Sequence, residues 1–429
     1  PELGARLLAL AELAKSHQVS LIVDAEESER LELSLDIIED VYLSSSLEGW
    51  TGFGMAVQSY QKRAFEVIDW IVELVQKGKR RMMVRLIKGA YWDSEIKKSQ
   101  MQGLDVYAPV GSHEDLLPYL VRRLLENGAN SSFVNRIIDD SLSLNDLVED
   151  PIQTARNMLG KINKNIPLPW AIFMPERINA KGIDWSNRET LADLQEALLP
   201  FQSKQWQAGP RLATPSTATA EMIKVLSPQD TRQVGEAYFA TEADVEQAFK
   251  DAKVAFKTWS LKDVDYRASI LEKFADLMEA HTIELLALAS LEAGKTMGDG
   301  IAEIREAVDF CRYYAVQARQ VMPAKVLKGY TGELNELSLH PRGVMVCISP
   351  WNFPLAIFVG QIMACLAAGN VVLAKPAEQT SLMATRAHEL MLEAGFPKGV
   401  IQLLPGRGET VGAALVSHSD VAGVIFTGS

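Results

Sequence analysis

The stretch RGVMVCISPWNFPLAIFVGQIMACLAAGNVVLAKPAEQT, Arg342–Thr380, carries no charged residue between Arg342 and Lys375. A run that long and apolar is a candidate membrane span. Its interior argues otherwise: Pro350 and Pro354 flank Trp351-Asn352-Phe353, and Gly369-Asn370 marks a turn. Val344–Ile348 and Val371–Ala374 read as short buried parallel strands, with Pro354–Ala368 as the helix crossing between them, a β-α-β unit. Asn352, at the strand-to-helix turn, offers an amide NH2 suited to a developing oxyanion. On pattern alone such an asparagine is more often a turn former, and Lys375 a solvated strand end.

Working outward, 429 residues predict two or three domains, and 48% hydrophobic content is enough for substantial cores. The net charge of −12 argues against a nucleic-acid surface, which needs a basic face. Cys311, Cys347 and Cys365 lie in apolar or helical settings without a C-x-x-C, as expected of buried reduced thiols in a cytoplasmic protein. Glu2 and Arg6 sit in an amphipathic pattern unlike a signal peptide. The start on Pro1, inside a helical pattern, is expected of a piece of a longer chain.

Toward the N-terminus, strand and helix signals alternate. Helical spacing over Leu7–Ala14 precedes a strand at Val19–Val23, a helix at Arg30–Leu43, a strand at Gly52–Ser59, a helix at Lys62–Lys77 and a strand at Val84–Lys88. This rhythm predicts parallel α/β architecture, barrel or open sheet. The strand VRLIK places Arg85 and Lys88 towards its C-terminal end, which in a β/α barrel is the catalytic mouth; an edge strand with solvated cations is the other reading. Tyr119, Arg122 and Arg123 share a helix face by their spacing. Two guanidinium forks beside a phenol suit a small carboxylate, although a solvated face fits the pattern as well.

Longer motifs carry a family resemblance. ISPWNFP followed by AGNVVLAKPAEQT resembles the NAD-binding core of the aldehyde dehydrogenase superfamily. EAGKT (Glu292–Thr296) and EAVDFCRYYA (Glu306–Ala315) resemble the pyrroline-5-carboxylate dehydrogenase half of the proline utilization A family. LIVDAEE, GMAVQSYQKRA, VRLIKGAYWDSEIK and YAPVGSHEDLLPYLVRRLLENGANSSFVNRI resemble that family's proline dehydrogenase barrel. The resemblance implies FAD contacts at Gln58, Arg85, Lys88, Ala90 and Tyr91, with Arg85 near the flavin N5. It implies a substrate pocket of Asp24, Tyr107, Tyr119, Arg122 and Arg123, the two arginines holding proline's carboxylate. A cation near the flavin stabilises the charge that arrives with a hydride, and a carboxylate clamp fixes the reacting C–H.

In the aldehyde dehydrogenase half, the resemblance implies Asn352 as the oxyanion-hole residue and NAD contacts at Ile348, Ser349, Trp351, Asn352, Lys375, Glu378, Gly408, Gly412, Phe426, Thr427, Gly428 and Ser429. Gly406 to Gly412 spaces its glycines G-x-G-x-x-x-G, one residue too long for the usual dinucleotide fingerprint, so it predicts only a glycine turn with a helix start. Helical spacing also covers Asn187–Leu198, Thr241–Trp259, Asp265–His281, Thr282–Glu292 and Asp299–Met322. Tyr330–His340 has the alternation of a strand pair.

The resemblance has a break. SQMQGLD (Ser99–Asp105) passes straight into Val106-Tyr107-Ala108-Pro109-Val110, where the family has further strands. About five strand candidates, near 19–24, 53–58, 84–88, 106–110 and 132–135, stand against the eight of a complete barrel. The family's catalytic cysteine and water-activating glutamate fall beyond Ser429, so aldehyde oxidation is not expected from this chain alone.

The fold class is therefore α/β: a partial (βα)8 proline dehydrogenase barrel over 1–140, a helical and loop linker over 141–205, and an incomplete Rossmann-like NAD-binding domain over 206–429. The implied function is proline catabolism to glutamate with FAD and NAD. Proline is oxidised to Δ1-pyrroline-5-carboxylate, and in the complete parent glutamate semialdehyde is oxidised to glutamate. Electrons pass to a quinone at the membrane surface; a homodimer is left open. The expected location is cytoplasmic or peripheral at the inner membrane. No metal and no nucleic-acid partner is expected. The alternatives are a catalytically incomplete fragment, or a DNA-binding regulator acting through a module absent from this chain.

Overall fold

In a computed structural model, the described residues are 2–87, 89, 91–103, 166–217 and 221–428, with the side chains of 92–94 left aside. They fall into two compact units: Pro1–Ile172 with Asp184–Leu191, and Phe173–Ile183 with Ala192–Ser429.

In the first unit, α1 (Glu2–Ser16), β1 (Leu21–Val23), α2 (Leu31–Tyr42), β2 (Phe53–Gln58), α3 (Ala64–Gly78), β3 (Met83–Ile87) and α4 (Trp92–Gln102) follow in order. The strands form one parallel sheet, β1-β2-β3. Every residue of β2, the central strand, is buried. Ile38, Val41 and Tyr42 of α2 and Val67, Ile71 and Leu74 of α3 repeat at helical spacing and close over Phe53, Met55 and Val57. α3 ends on Lys79 in the left-handed conformation, whose N–H returns to the carbonyl of Gln76.

The helix α5 (Arg188–Leu198) matches its sequence spacing closely. The second unit then begins with a mixed sheet, order β4-β6-β5, of Trp206–Ala208 (β4), Met222–Leu226 (β5) and Gln233–Tyr238 (β6). Four helices follow: α6 (Glu242–Trp259), α7 (Val264–Ala280), α8 (Thr282–Ala293) and α9 (Met297–Val321). α6 opens on a capping box in which Thr241 and Asp244 exchange hydrogen bonds.

The predicted strand pair is shifted. β7 is Lys325–Leu327 and pairs antiparallel with β8, Asn335–Leu337, so Tyr330 lies in the connecting loop. That loop carries Gly329 and Gly332, and the helix-breaking Pro323 lets the chain extend before Tyr330 is reached.

The stretch Arg342–Thr380 forms the predicted β-α-β unit: β9 (Val344–Ile348), α10 (Ala356–Ala367) and β10 (Val371–Lys375). α10 rises about 18 Å over its length, well short of a bilayer core. No helix among the described residues is long and apolar enough to cross a membrane. α10 is apolar because it is covered all round. It packs on α9, β9 and β10, with Phe358, Val359, Ile362, Met363 and Leu366 fully buried, each worth roughly 1.5–3 kcal/mol. The Gly369-Asn370 turn closes the unit, the Asn370 side chain accepting from the N–H groups of Arg342 and Gly343.

α11 (Ser381–Ala394), β11 (Ile401–Leu403), one π-helical turn (Gly408–Gly412), α12 (Ala413–Ser417) and β12 (Val421–Phe426) complete the unit. The parallel sheet has order β11-β10-β9-β12. The chain moves outward from β9 through β10 to β11, then returns to the other side of β9, which makes the β9/β12 boundary a topological switch point.

Candidate functional site

The switch point gathers the predicted NAD residues. Ile348 is in register with Lys375 on one side and Phe426 on the other, so three of them form one row at the C-terminal edge of the sheet. Open α/β sheets bind ligands outside that edge. Ser349 N–H donates to the Lys375 carbonyl at 3.2 Å and Thr427 N–H to the Ile348 carbonyl at 3.0 Å, locking the strand ends together. Gln361 of α10 donates to the Thr427 hydroxyl at 2.9 Å. The Ser349 hydroxyl is buried and has no hydrogen-bond partner among the described residues. Gly428 follows on the same loop; Ser429 lies outside the described residues.

Lys375 is buried, and burial pulls its pKa down against the opposing charge of Glu378. Its ammonium donates to the Pro376 carbonyl at 3.1 Å and to Glu378 at 3.4 Å. The Glu378 carboxylate also accepts the Gly408 N–H at 2.8 Å, and the Lys375 stem passes Gly412 where a Cβ would sit 3.5 Å away. Lys375, Glu378, Gly408 and Gly412, separated in sequence, thus form one cluster. A buried cation and a glycine loop whose Gly408 leaves open space fit a dinucleotide with its phosphates and ribose hydroxyls.

Asn352 and Trp351 are exposed on the loop between β9 and α10. That loop is fastened from below by a residue the sequence reading missed. Glu303 of α9 is buried, and its carboxylate accepts the N–H groups of Leu355 and Ala356 at 2.8 and 3.3 Å. It pairs with Lys295 at 2.9 Å, whose ammonium lies 4.1 Å from the Phe353 ring centre. Glu292 does the same for the helix after β10. It accepts from Leu382 and Met383 at 2.7 and 2.8 Å, and burial pushes its carboxyl up to about 8. Two buried carboxyl groups therefore cap the helices that leave the two central strands, where backbone N–H groups lack intrahelical partners. The available signal was charge inside otherwise apolar helical faces.

In the first unit, Asp24 follows β1, Gln58 ends β2 and Arg85 sits at the middle of β3, in register with Ala56. Arg85 donates to Asp24, so two predicted site residues 61 positions apart meet. Both stay largely exposed. Gln58 is buried and donates to the Glu26 carbonyl at 2.7 Å. A small cleft opens beside them, lined by Asp24, Glu26, Ile38, Met55, Gln58 and Gln61. A cation, an amide and a cleft at one strand edge fit one wall of a flavin site. Tyr91 caps the start of α4 and is half-buried. Lys88, Ala90, Tyr107, Tyr119, Arg122 and Arg123 lie outside the described residues. The three cysteines are free and buried; Cys347 and Cys365 approach to 3.9 Å, and burial raises the Cys311 thiol.

Residues 214–429 match the aldehyde dehydrogenase family. Residues 2–106 and 104–136 match the proline dehydrogenase family in two pieces that meet where SQMQGLD runs into VYAPV. The bifunctional protein PutA of Salmonella typhimurium is 42% identical, over all of this chain and 39% of its own length. A solved Bradyrhizobium japonicum proline utilization A variant superposes with a TM-score of 0.84 at 37% identity, covering all of this chain and 49% of that one. A 1-pyrroline-5-carboxylate dehydrogenase from Thermus, solved with bound NAD, gives a TM-score of 0.56 at 36% identity, covering 59% of this chain and 50% of that one.

The fold and its two strand edges are those of an α/β oxidoreductase that joins a proline dehydrogenase region to an aldehyde dehydrogenase region. The chain belongs to the aldehyde dehydrogenase family, and within it to the PutA-like proline utilization proteins. It spans about two fifths of the length of that Salmonella relative. Proline dehydrogenase regions of this family use FAD and aldehyde dehydrogenase regions use NAD. Neither alternative, inert fragment or DNA-binding regulator, gains support from these matches.

Proposed function

We propose that this chain contributes to two consecutive oxidations: L-proline to Δ1-pyrroline-5-carboxylate, and glutamate semialdehyde, its ring-opened form, to glutamate. One observation carries the reading: a single chain matches both families, with Ile348, Lys375 and Phe426 ending neighbouring strands of one parallel sheet and Gln58 and Arg85 lying on adjacent strands of another.

FAD and NAD, when bound, accept the hydride of the first and second oxidation respectively. Arg85 holds positive charge at the flavin edge, where it pairs with Asp24. Gln58 stands beside it as an amide contact. Arg122 and Arg123, with Tyr107 and Tyr119, grip the proline carboxylate so that one C–H is presented in one geometry. Lys88, Ala90 and Tyr91 complete the flavin contacts. On the NAD side, Lys375 and Glu378 bind ribose hydroxyls, Gly408 and Gly412 admit the dinucleotide backbone, and Phe426 to Ser429 line the nicotinamide side. Asn352 donates to the aldehyde oxygen as negative charge develops there.

The domains run 1–140, 141–205 and 206–429. Electrons leave the flavin to a quinone at the membrane surface. The protein works in the cytoplasm or at the inner membrane face, as a homodimer, and does not bind nucleic acid; the acidic balance supports the last point.

The test is direct. The full-length protein should purify yellow, bleach on adding proline without oxygen, and form NADH from pyrroline-5-carboxylate. Colourless protein with no proline-dependent dye reduction would sink the first oxidation, and absent NADH formation the second.

A further inference from the structure

We propose that Glu95 is a positioning residue for the flavin edge, strapping together the loops that follow β1, β2 and β3; this rests on reading that edge as the flavin site. Glu95 lies on α4, ten residues beyond Arg85 in the chain, and is buried. One carboxylate oxygen accepts the backbone N–H of Ser28 at 2.7 Å. The other accepts the Tyr60 hydroxyl at 2.7 Å. Ser28 follows Asp24 on the loop leaving β1, and Tyr60 follows Gln58 on the loop leaving β2. A single side chain on α4 therefore joins the connection that carries Asp24 to the one that follows Gln58.

The junction is closed by Gly89 in the turn between β3 and α4. Its φ of +124° is open to glycine, and a Cβ there would lie 1.9 Å from the Tyr60 ring and 3.1 Å from the Gln58 side-chain oxygen. The Tyr60 ring thus rests on the backbone of the same turn that leads to Glu95. Gln58 donates to Glu26 and Arg63 to the Ser28 carbonyl at 3.1 Å, so the strap is braced on its outer side. Burial is the largest influence on both ionisable partners and raises both the Glu95 carboxyl and the Tyr60 phenol. A site that must meet a planar ring needs its contact residues held to fractions of an ångström. Arg85, exposed and, among the described residues, paired with an exposed Asp24, does not by itself supply that constraint.

The experiment uses the full-length protein with Glu95→Ala, Glu95→Gln and Tyr60→Phe. FAD dissociation constants, the visible band and midpoint potential of the bound flavin, and KM and kcat for proline are measured. NAD-dependent aldehyde oxidation serves as the folding control. Glu95→Ala should weaken FAD binding at least ten-fold, lower kcat/KM for proline at least ten-fold and shift the flavin band, with the control unchanged. Glu95→Gln should stay within three-fold of wild type, because its amide can accept from Ser28 and donate to the Tyr60 oxygen. Tyr60→Phe should fall between them, and if the alanine variant does not fold, the glutamine and phenylalanine variants decide by the same readouts. A residue serving stability alone would lower the melting temperature and leave the flavin band and potential unmoved. That result, or Glu95→Gln as damaged as Glu95→Ala, overturns the proposal. Wild-type protein that binds no flavin would instead overturn the reading of the edge itself.

Discussion

The strands β3 and β10 are written almost alike, MVRLI before Lys88 and VVLA before Lys375, yet their surroundings differ. All five residues of β10 are buried between β9 and β11. β3 is an edge strand among the described residues, and its Leu86 is 65% exposed. The cations follow suit: Lys375 is buried among carbonyls and Glu378, whereas Arg85 is exposed and answers to Asp24. A parallel strand needs cover on both faces, and that cover comes from neighbours in space, not from the strand's own residues. Even the fastening carboxylates differ. Glu303 faces a cation, Lys295; Glu95 faces a backbone amide and a phenol.

The largest expected effect lies in that last contrast. Glu303→Ala leaves the partly buried Lys295 and the buried N–H groups of Leu355 and Ala356 without their carboxylate and should cost about 3–5 kcal/mol. Glu95→Ala strands only neutral donors, at roughly 1–3 kcal/mol. Urea unfolding that ranked them the other way would break the contrast. Next, Leu373→Ala in β10 should destabilise by about 2–5 kcal/mol, while Leu86→Ala in β3 should stay within roughly 0.5 kcal/mol. Equal losses would mean that β3 is covered after all. Glycine substitutions sharpen the comparison further. Gly89→Ala meets the Tyr60 ring at positive φ and should cost about 1–3 kcal/mol. Gly412→Ala, in ordinary contact with Lys375, should change stability by less than about 0.5 kcal/mol and act mainly on NAD affinity, readable by titration.

A last effect is a pH slope. The Glu292 carboxyl is raised from 4.5 to about 8 in the folded protein. Between those values the folded state holds the proton more tightly than the unfolded one. Its contribution to stability is therefore full below the unfolded pKa and is lost as pH rises through about 8. Glu292→Gln should flatten that part of the stability–pH curve. An unchanged slope would show that the two amides from α11 offset the burial.

The strands and helices that matter for the sites were legible because their signals are local. Val344–Ile348 and Val371–Lys375 are apolar runs bounded by proline and glycine-asparagine signals. Asn187–Leu198 differs from its observed helix by one residue. The strand pair near Tyr330 was misplaced because alternation over a few residues does not say which segment is the turn. Glu95, Glu292 and Glu303 could not be read as fasteners: a glutamate in a helix looks solvated until the fold buries it against a particular N–H.

What the sequence settled by itself is the list of chemical groups: which strands end in cations, which loops carry Asn352 and the glycines, and in what order. Tertiary structure alone decided which of them meet. Strand order put Ile348, Lys375 and Phe426 in one row and brought Arg85 to Asp24, because register and burial depend on neighbours far away along the chain.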